Sequence, residues 1–262
     1  MRKLRAVVRI VLISFVTAST LLLLLFGRVA LIFSPPKQMS WRRLLFRGWA
    51  RALAAIMGMN IVVQGKPPQP PFFLVTNHLS YIDILLLATQ VEGVFVSRHD
   101  VSDWPVIGFL TRAVGTLFIN REQAKDVLRV NGLFKAALQK GDGIILFPEG
   151  TSTAGAELQP FKSPLLNVAA EMNYPVSYAS LSYRTLTGEA PAHLSVCWWG
   201  EMTFGDHVFA LLQMPKFHAT LTFGNGAVQE SDRKTLARKL HRLISEQFIP
   251  VVSKPELSAM VK

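Results

Sequence analysis

From Ile10 to Phe26 the chain runs for 17 residues without a charge, IVLISFVTASTLLLLLF. Nothing else in it restricts the fold as much. Such a run is a core helix, a cleaved signal or a piece of membrane. Basic residues precede it in MRKLRAVVRI, and Gly27, Arg28 and a second apolar patch, VALIF, follow. A bilayer span takes about 20 apolar residues, so the run suffices only if Arg28 snorkels to the interface. A signal peptide shares the basic start. However, no A-x-A-like cleavage site follows, and the run is long for a signal's apolar region. The expectation is a membrane anchor. Basic residues flank it on both sides, so the positive-inside rule leaves its orientation open. A re-entrant hairpin would keep both ends on one side.

The next stretch, WRRLLFRGWARALAAIMG, covers residues 41–58. At helical spacing Trp41, Leu44, Leu45, Trp49, Leu53 and Ile56 gather on one side, with Arg42, Arg43, Arg47 and Arg51 towards the other. A basic, Trp-bearing amphipathic helix suits an anionic interface. The alternative is a core-facing helix with a solvated basic face. The whole chain carries 28 Lys and Arg against 17 Asp and Glu, a formal charge of +11. That balance indicates a polyanionic partner. The apolar run selects an anionic membrane over nucleic acid. Cys197 is the only cysteine, which excludes an intrachain disulfide and a Cys-rich zinc site.

GKPPQPP, residues 65–71, is a Pro-rich break. It divides the chain into an N-terminal membrane segment, 1–64, and a main domain, 65–262. Beyond the break, apolar runs of strand length alternate with helical patterns. FFLVTN, GVFVS, GTLFI, GIILFPE, PVSYASLSY, HLSVCWW and FHATLTF read as strands. Residues 80–90, 122–139, 163–172 and 231–248 read as helices. The alternation predicts an α/β domain, a mostly parallel mixed sheet flanked by helices.

NHLSYID follows the first of these strands and places His78 five residues before Asp83. On a helix, positions five apart point roughly 140° away from each other, and on a strand they lie on opposite faces. The two side chains meet only if the chain bends. Ser80-Tyr81-Ile82-Asp83 has the form of a capping box, with Asp in place of Glu. With Ser80 as N-cap, Asp83 tilts back towards the helix start, and the turn folds the imidazole of His78 onto it. The carboxylate would hold one ring nitrogen and leave the other as a base. The alternative is a capped helix beside an incidental histidine. No G-x-S-x-G elbow, P-loop, G-x-G-x-x-G or H-E-x-x-H occurs. Without an evident protein nucleophile, the base would deprotonate a substrate hydroxyl that attacks an acyl or phosphoryl group. GTLFINR ends in Arg121, and FPEGTST joins Glu149 and Gly150 to a hydroxyl cluster, Thr151 to Thr153. Glu149 would orient an arginine or bind a substrate hydroxyl. Gly150 would permit close backbone approach.

In this order, the three segments resemble the glycerophospholipid acyltransferase family. Its first motif, N-H-x-x-x-x-D, matches Asn77, His78 and Asp83. Its second, of G-x-x-F-x-x-R type, matches Gly115, Phe118 and Arg121. Its third, F-P-E-G-T-R-S, matches Phe147, Pro148, Glu149, Gly150 and Thr151, with Ser152 where arginine is usual. The resemblance covers roughly residues 70–225. It implies acyl transfer from acyl-CoA or acyl carrier protein to the free hydroxyl of a lysolipid, with no metal or organic cofactor. His78 is then the base and Asp83 its orienting group. Arg98, Arg121 and the PEG turn hold the acceptor head group. Lysophosphatidate is the leading acceptor. Ser152, together with the later WWGEMTFGDH, is similar to branches that acylate other lysolipids, including lyso-ornithine lipid. The site would face the cytoplasm from the inner or plasma membrane, where a soluble thioester can reach it. Two rival readings stay open: a lipid hydrolase or thioesterase, and a non-catalytic module that binds anionic membranes.

Overall fold

The computed structural model describes residues 1–103, 108, 111–112, 115–119 and 124–260. Among them seven strands form one mixed sheet: β1 (Met59–Gln64), β2 (Phe73–Thr76), β3 (Gly93–Arg98), β4 (Leu117–Ile119), β5 (Gly143–Leu146), β6 (Val176–Thr185) and β7 (Phe217–Phe223). Their order is β1-β7-β6-β2-β5-β3-β4. All neighbouring pairs are parallel except β6–β7. The expected strands fall in place apart from HLSVCWW. Pro191 starts a short helix there, Ala192–Ser195. The chain then bonds the turn after β2 through the Trp198 N–H and the Leu79 carbonyl, 2.9 Å. Its buried residues are covered by helices and not by strand pairing. Met59–Gln64, which the sequence reading leaves in the N-terminal segment, is instead the edge strand beside β7.

The helices are α1 (Arg2–Ala30), α2 (Pro35–Met57), α3 (Ile82–Gln90), α4 (Ala124–Gln139), α5 (Asn167–Glu171), α6 (Ala192–Ser195), α7 (Phe204–Gln213), α8 (Arg233–Gln247) and α9 (Lys254–Met260). Successive strand side chains point to opposite faces, and the sheet therefore separates two cores. Leu74, Ile145, Leu181 and Leu221 pack towards α1, α2, α3 and α7. Phe73, Val75, Ile144 and Leu146 pack towards α4, α5 and α8.

α1 is long and apolar enough to cross a membrane. It does not stand alone. With α2 it forms an antiparallel hairpin. Gln38 Nε2 donates to the Arg28 carbonyl, Trp41 Nε1 to that of Leu23, and Trp49 Nε1 to Thr17 Oγ1, at 2.9–3.0 Å. Arg5 and Arg9 donate to carbonyls at the end of α7, where cations meet the negative end of the helix dipole. Outward, α1 leaves Val11, Phe15, Leu22 and Phe26 exposed. Part of the basic face of α2 is used within the molecule. Arg43 pairs with Asp142 at 2.7 Å and Arg47 with Glu92 at 3.0 Å, which strap the helix to the sheet domain.

Candidate active site

β2 and β5 are adjacent and parallel, so the turns after them lie side by side. This places the first and third sequence motifs together. Asn77 makes the first turn possible. Its Oδ1 accepts the Leu181 N–H at 2.7 Å, and its Nδ2 donates to the Leu181 carbonyl at 3.1 Å. An amide side chain thus continues the ladder to β6, and the backbone of His78 can leave the sheet. The second turn then grips that backbone. Glu149 Oε1 accepts the His78 N–H at 2.8 Å, and the Thr153 N–H donates to the His78 carbonyl at 3.1 Å.

The bend brings His78 Nδ1 to 2.7 Å from Asp83 Oδ2. The same oxygen accepts the N–H groups of Leu79, 2.7 Å, and Ser80, 3.0 Å. Oδ1 accepts the hydroxyl of Tyr183, 2.6 Å, from β6. The pairing follows the expectation, with one difference in detail. The helix begins at Ile82, and Ser80 contributes its N–H while its buried hydroxyl has no protein partner. Only the carboxylate half of the capping box is made. All four contacts have the carboxylate as acceptor, so Nδ1 carries the proton and Nε2 keeps a lone pair. The imidazole stacks on Phe147 with centroids 4.2 Å apart, which fixes its plane.

His78 lines a cavity of about 220 Å³. Its other walls are mostly apolar, with Leu21 and Leu24 of α1, Phe46 and Trp49 of α2, and Phe95 and Phe147 near the sheet, while Thr17, Thr20 and Ser97 add hydroxyls. Tyr81 and Trp198 also line it. The Tyr81 hydroxyl donates to His207 Nδ1 at 2.9 Å, while His207 Nε2 meets the Cys197 carbonyl at 2.9 Å. A carbonyl only accepts, so Nε2 carries the proton and His207 is neutral. Burial lowers its pKa in the same direction. Burial also raises the Tyr81 phenol. The pair fixes one wall of the cavity that His78 also lines.

The remaining expected residues divide. Phe147 is the stacking partner of the histidine. The Pro148 carbonyl accepts the Lys162 N–H at 2.8 Å. Gly150 turns at φ +77°, which only glycine adopts without strain. Thr151 is exposed. Ser152 donates its hydroxyl to the Trp198 carbonyl and so joins two loops. Glu149 bonds backbone. It is 2% exposed, and Oε2 accepts the Gln159 N–H at 2.9 Å. With each oxygen accepting a backbone N–H, it ties the turn after β5 to the backbone of His78 and of Gln159. Burial pushes its pKa up to about 7. Gly115 supports the guanidinium of Arg42, and Phe118 is half-buried on β4. Arg98 ends β3, but its side chain lies outside the described set. Arg121 lies outside the described residues. Sequence reasoning missed Tyr183, the Tyr81–His207 pair and the cavity wall from α1. Among the described residues no cluster of three His, Cys, Asp or Glu offers a metal site.

An oriented histidine at a mostly apolar cavity, on a mixed sheet with an apolar hairpin, fits the class that the comparisons define, the α/β acyltransferases of lipids. A family model described as Acyltransferase matches residues 60–181. Lyso-ornithine lipid O-acyltransferases of Rhodobacter capsulatus and Rhizobium meliloti are 32% and 30% identical, over 71% and 81% of this chain and 69% and 76% of theirs. A 1-acyl-sn-glycerol-3-phosphate acyltransferase of Neisseria meningitidis serogroup B is 26% identical over 74% of this chain and 76% of its own. The crystal structure of the 1-acyl-sn-glycerophosphate acyltransferase PlsC from Thermotoga maritima shares the fold. Its TM-score is 0.68 at 18% identity, covering 99% of this chain and 98% of that one. The chain belongs to the lysolipid acyltransferase family and is an enzyme of the 1-acylglycerol-3-phosphate acyltransferase type.

Proposed function

We propose that the protein is a membrane-bound O-acyltransferase whose acceptor is lyso-ornithine lipid and whose donor is an acyl thioester of coenzyme A or acyl carrier protein. The observation that carries the chemistry is the His78–Asp83 pair, with Nε2 as the base at an apolar cavity. His78 Nε2 removes the proton of the acceptor hydroxyl while its oxygen attacks the thioester carbonyl carbon. Asp83 stabilises the imidazolium that results. The tetrahedral intermediate collapses, the C–S bond breaks, and the thiolate takes the proton from Nε2. The ester and a free thiol leave. The cavity wall from α1 and α2 suits the apolar chain of the donor. The hairpin, with both ends on the sheet domain and an exposed apolar strip, suits a site at the surface of one leaflet, facing the cytoplasm.

Ser152 supports the acceptor assignment. A guanidinium at this position would clasp a phosphate bidentately. Here the hydroxyl is spent on the Trp198 carbonyl. The relatives at 30–32% identity over more than two thirds of both chains are named for lyso-ornithine lipid. The second reading, lysophosphatidate, is favoured by the basic composition and by the Neisseria relative.

One assay separates the readings. Membranes bearing the protein are given an acyl thioester and either lysolipid, and free thiol and diacyl lipid are measured. We expect transfer to lyso-ornithine lipid to exceed transfer to lysophosphatidate. The reverse order would establish the second reading. Equal thiol release without any lysolipid would indicate a thioesterase. His78→Ala should lower lysolipid-dependent thiol release by about 100-fold or more with membrane binding intact. Near-normal turnover in that variant would remove His78 from the mechanism.

A further inference from the structure

Beside the catalytic cavity, the hairpin and the sheet domain enclose a second one, of about 840 Å³. The two share Leu21 and Leu24 as a common wall. Their chemistry differs. Arg28 from the last turn of α1, Arg42 from α2, and Arg112 and Lys140 from the sheet domain all line the second cavity. Among the described residues that line it, none is acidic. Asp142 approaches Arg42 only at 3.6 Å and sits closer, 2.7 Å, to Arg43. Arg112 spends one nitrogen on the Ser102 carbonyl, 2.6 Å. Gly115 admits the guanidinium of Arg42: a Cβ at that position would stand 2.3 Å from Nη1. Three elements therefore converge on one cationic recess.

Apart from Gln38, the rest of the lining is apolar or aromatic, chiefly Leu24, Leu25, Met39 and Trp41. The hairpin continues from it into exposed Phe26, Val29, Ile32 and Phe33. Cations alone would suit any phosphate. Cations over an apolar wall, beside an exposed apolar strip, suit an amphiphile. We propose that this recess binds the headgroup phosphate of an anionic glycerophospholipid from the bilayer, as a second, non-reacting lipid. The lipid would hold the hairpin against the domain at the wall that the catalytic cavity shares. The inference rests on the proposed placement of the hairpin in a bilayer, and not on the identity of the acceptor.

Trp41 lines the recess and serves as its reporter. The full chain is placed in vesicles of phosphatidylcholine containing either phosphatidylglycerol or more phosphatidylcholine brominated on the chains. Quenching of the fluorescence that Trp41→Phe removes is then recorded. Brominated phosphatidylglycerol should quench it several-fold more strongly than the brominated zwitterion. Arg28→Gln with Lys140→Gln, or Lys140→Gln alone if the pair misfolds, should abolish the difference. Equal quenching by both lipids, or a difference that survives the substitutions, would overturn the proposal. Displacement by inorganic phosphate or coenzyme A would assign the recess to a soluble phosphate, and displacement by lysophosphatidate to the acceptor. Either also overturns it. Sedimentation with plain phosphatidylcholine vesicles tests the hairpin placement separately, because it needs no headgroup selection.

Discussion

At the scale of single residues the site centres on one carboxylate. Asp83 is fully buried and accepts four hydrogen bonds, from His78, Leu79, Ser80 and Tyr183. The first three come from the same turn, and the spacing of NHLSYID made their meeting legible, because only a bend could join His78 to Asp83. Tyr183 was not legible. It stands 100 positions further on, and a tyrosine in an apolar strand reads as core. Its role depends on the register of β6 beside β2, which a single sequence does not disclose. Tyr183 holds the second oxygen and so keeps the first one facing the imidazole. Removing its hydroxyl leaves the carboxylate with one donor fewer and free to rotate. We therefore expect Tyr183→Phe to lower kcat about 10-fold, the worth of one charge-assisted hydrogen bond, with KM for the thioester little changed. The acid limb of the pH–rate profile should shift, since the environment of the imidazolium changes. A fall in thermal stability with an unmoved pH profile would leave Tyr183 a purely structural residue.

Between elements, Glu149 is the tie that sets the two strand-end turns at a fixed distance. Its oxygens bond the N–H groups of His78 and Gln159. Burial opposes its charge and raises its pKa from 4.5 to about 7, against the pull of those two bonds. The unfolded chain loses this proton near 4.5 and the folded one near 7. Between the two values the folded state binds more proton, so the contribution to stability is full below 4.5 and falls as pH rises through 7. Glutamine has no proton to lose. In urea unfolding of the detergent-solubilised protein, the stability of the wild type relative to Glu149→Gln should therefore drop by a few kcal/mol between pH 5 and pH 8. A difference independent of pH would mean that the carboxyl is ionised throughout. The FPEGTST turn was legible as part of the site, but the direction of its carboxylate was not. A glutamate after a strand looks like a ligand for substrate until the neighbouring turn supplies its donors. One element misread and one left unassigned have similar causes. HLSVCWW alternates like a strand but is started as a helix by Pro191. Met59–Gln64 is a short strand just before the Pro-rich break, and only its pairing with β7, more than 150 residues later, identifies it.

For the molecule as a whole, the reading of the N-terminus as an anchor beside a separate enzyme meets a geometric objection. α1 supplies Leu21 and Leu24 to the cavity that His78 lines and buries Ala6 in the core that also holds Leu74 and Ile145. Its arginines bond the end of α7, the helix whose His207 fixes Tyr81. A detachable anchor would leave the site intact when removed. A hairpin that forms the cavity wall would not. Without residues 1–33, the faces of Phe46 and Trp49 that α1 covers would meet water, and the apolar channel would become an open groove. At roughly 25 cal/mol per Å² of apolar surface, uncovering even a few side chains costs several kcal/mol, a large part of the stability of a single domain. We expect the truncated protein to lose most acyl transfer even in mixed micelles, where no anchor is needed to meet the lipid. Hydrolysis of the thioester by water should become relatively more prominent, because the wall that excluded water is gone. A truncated protein that keeps full transfer in micelles and fails only on vesicles would show that α1 is an anchor and nothing more.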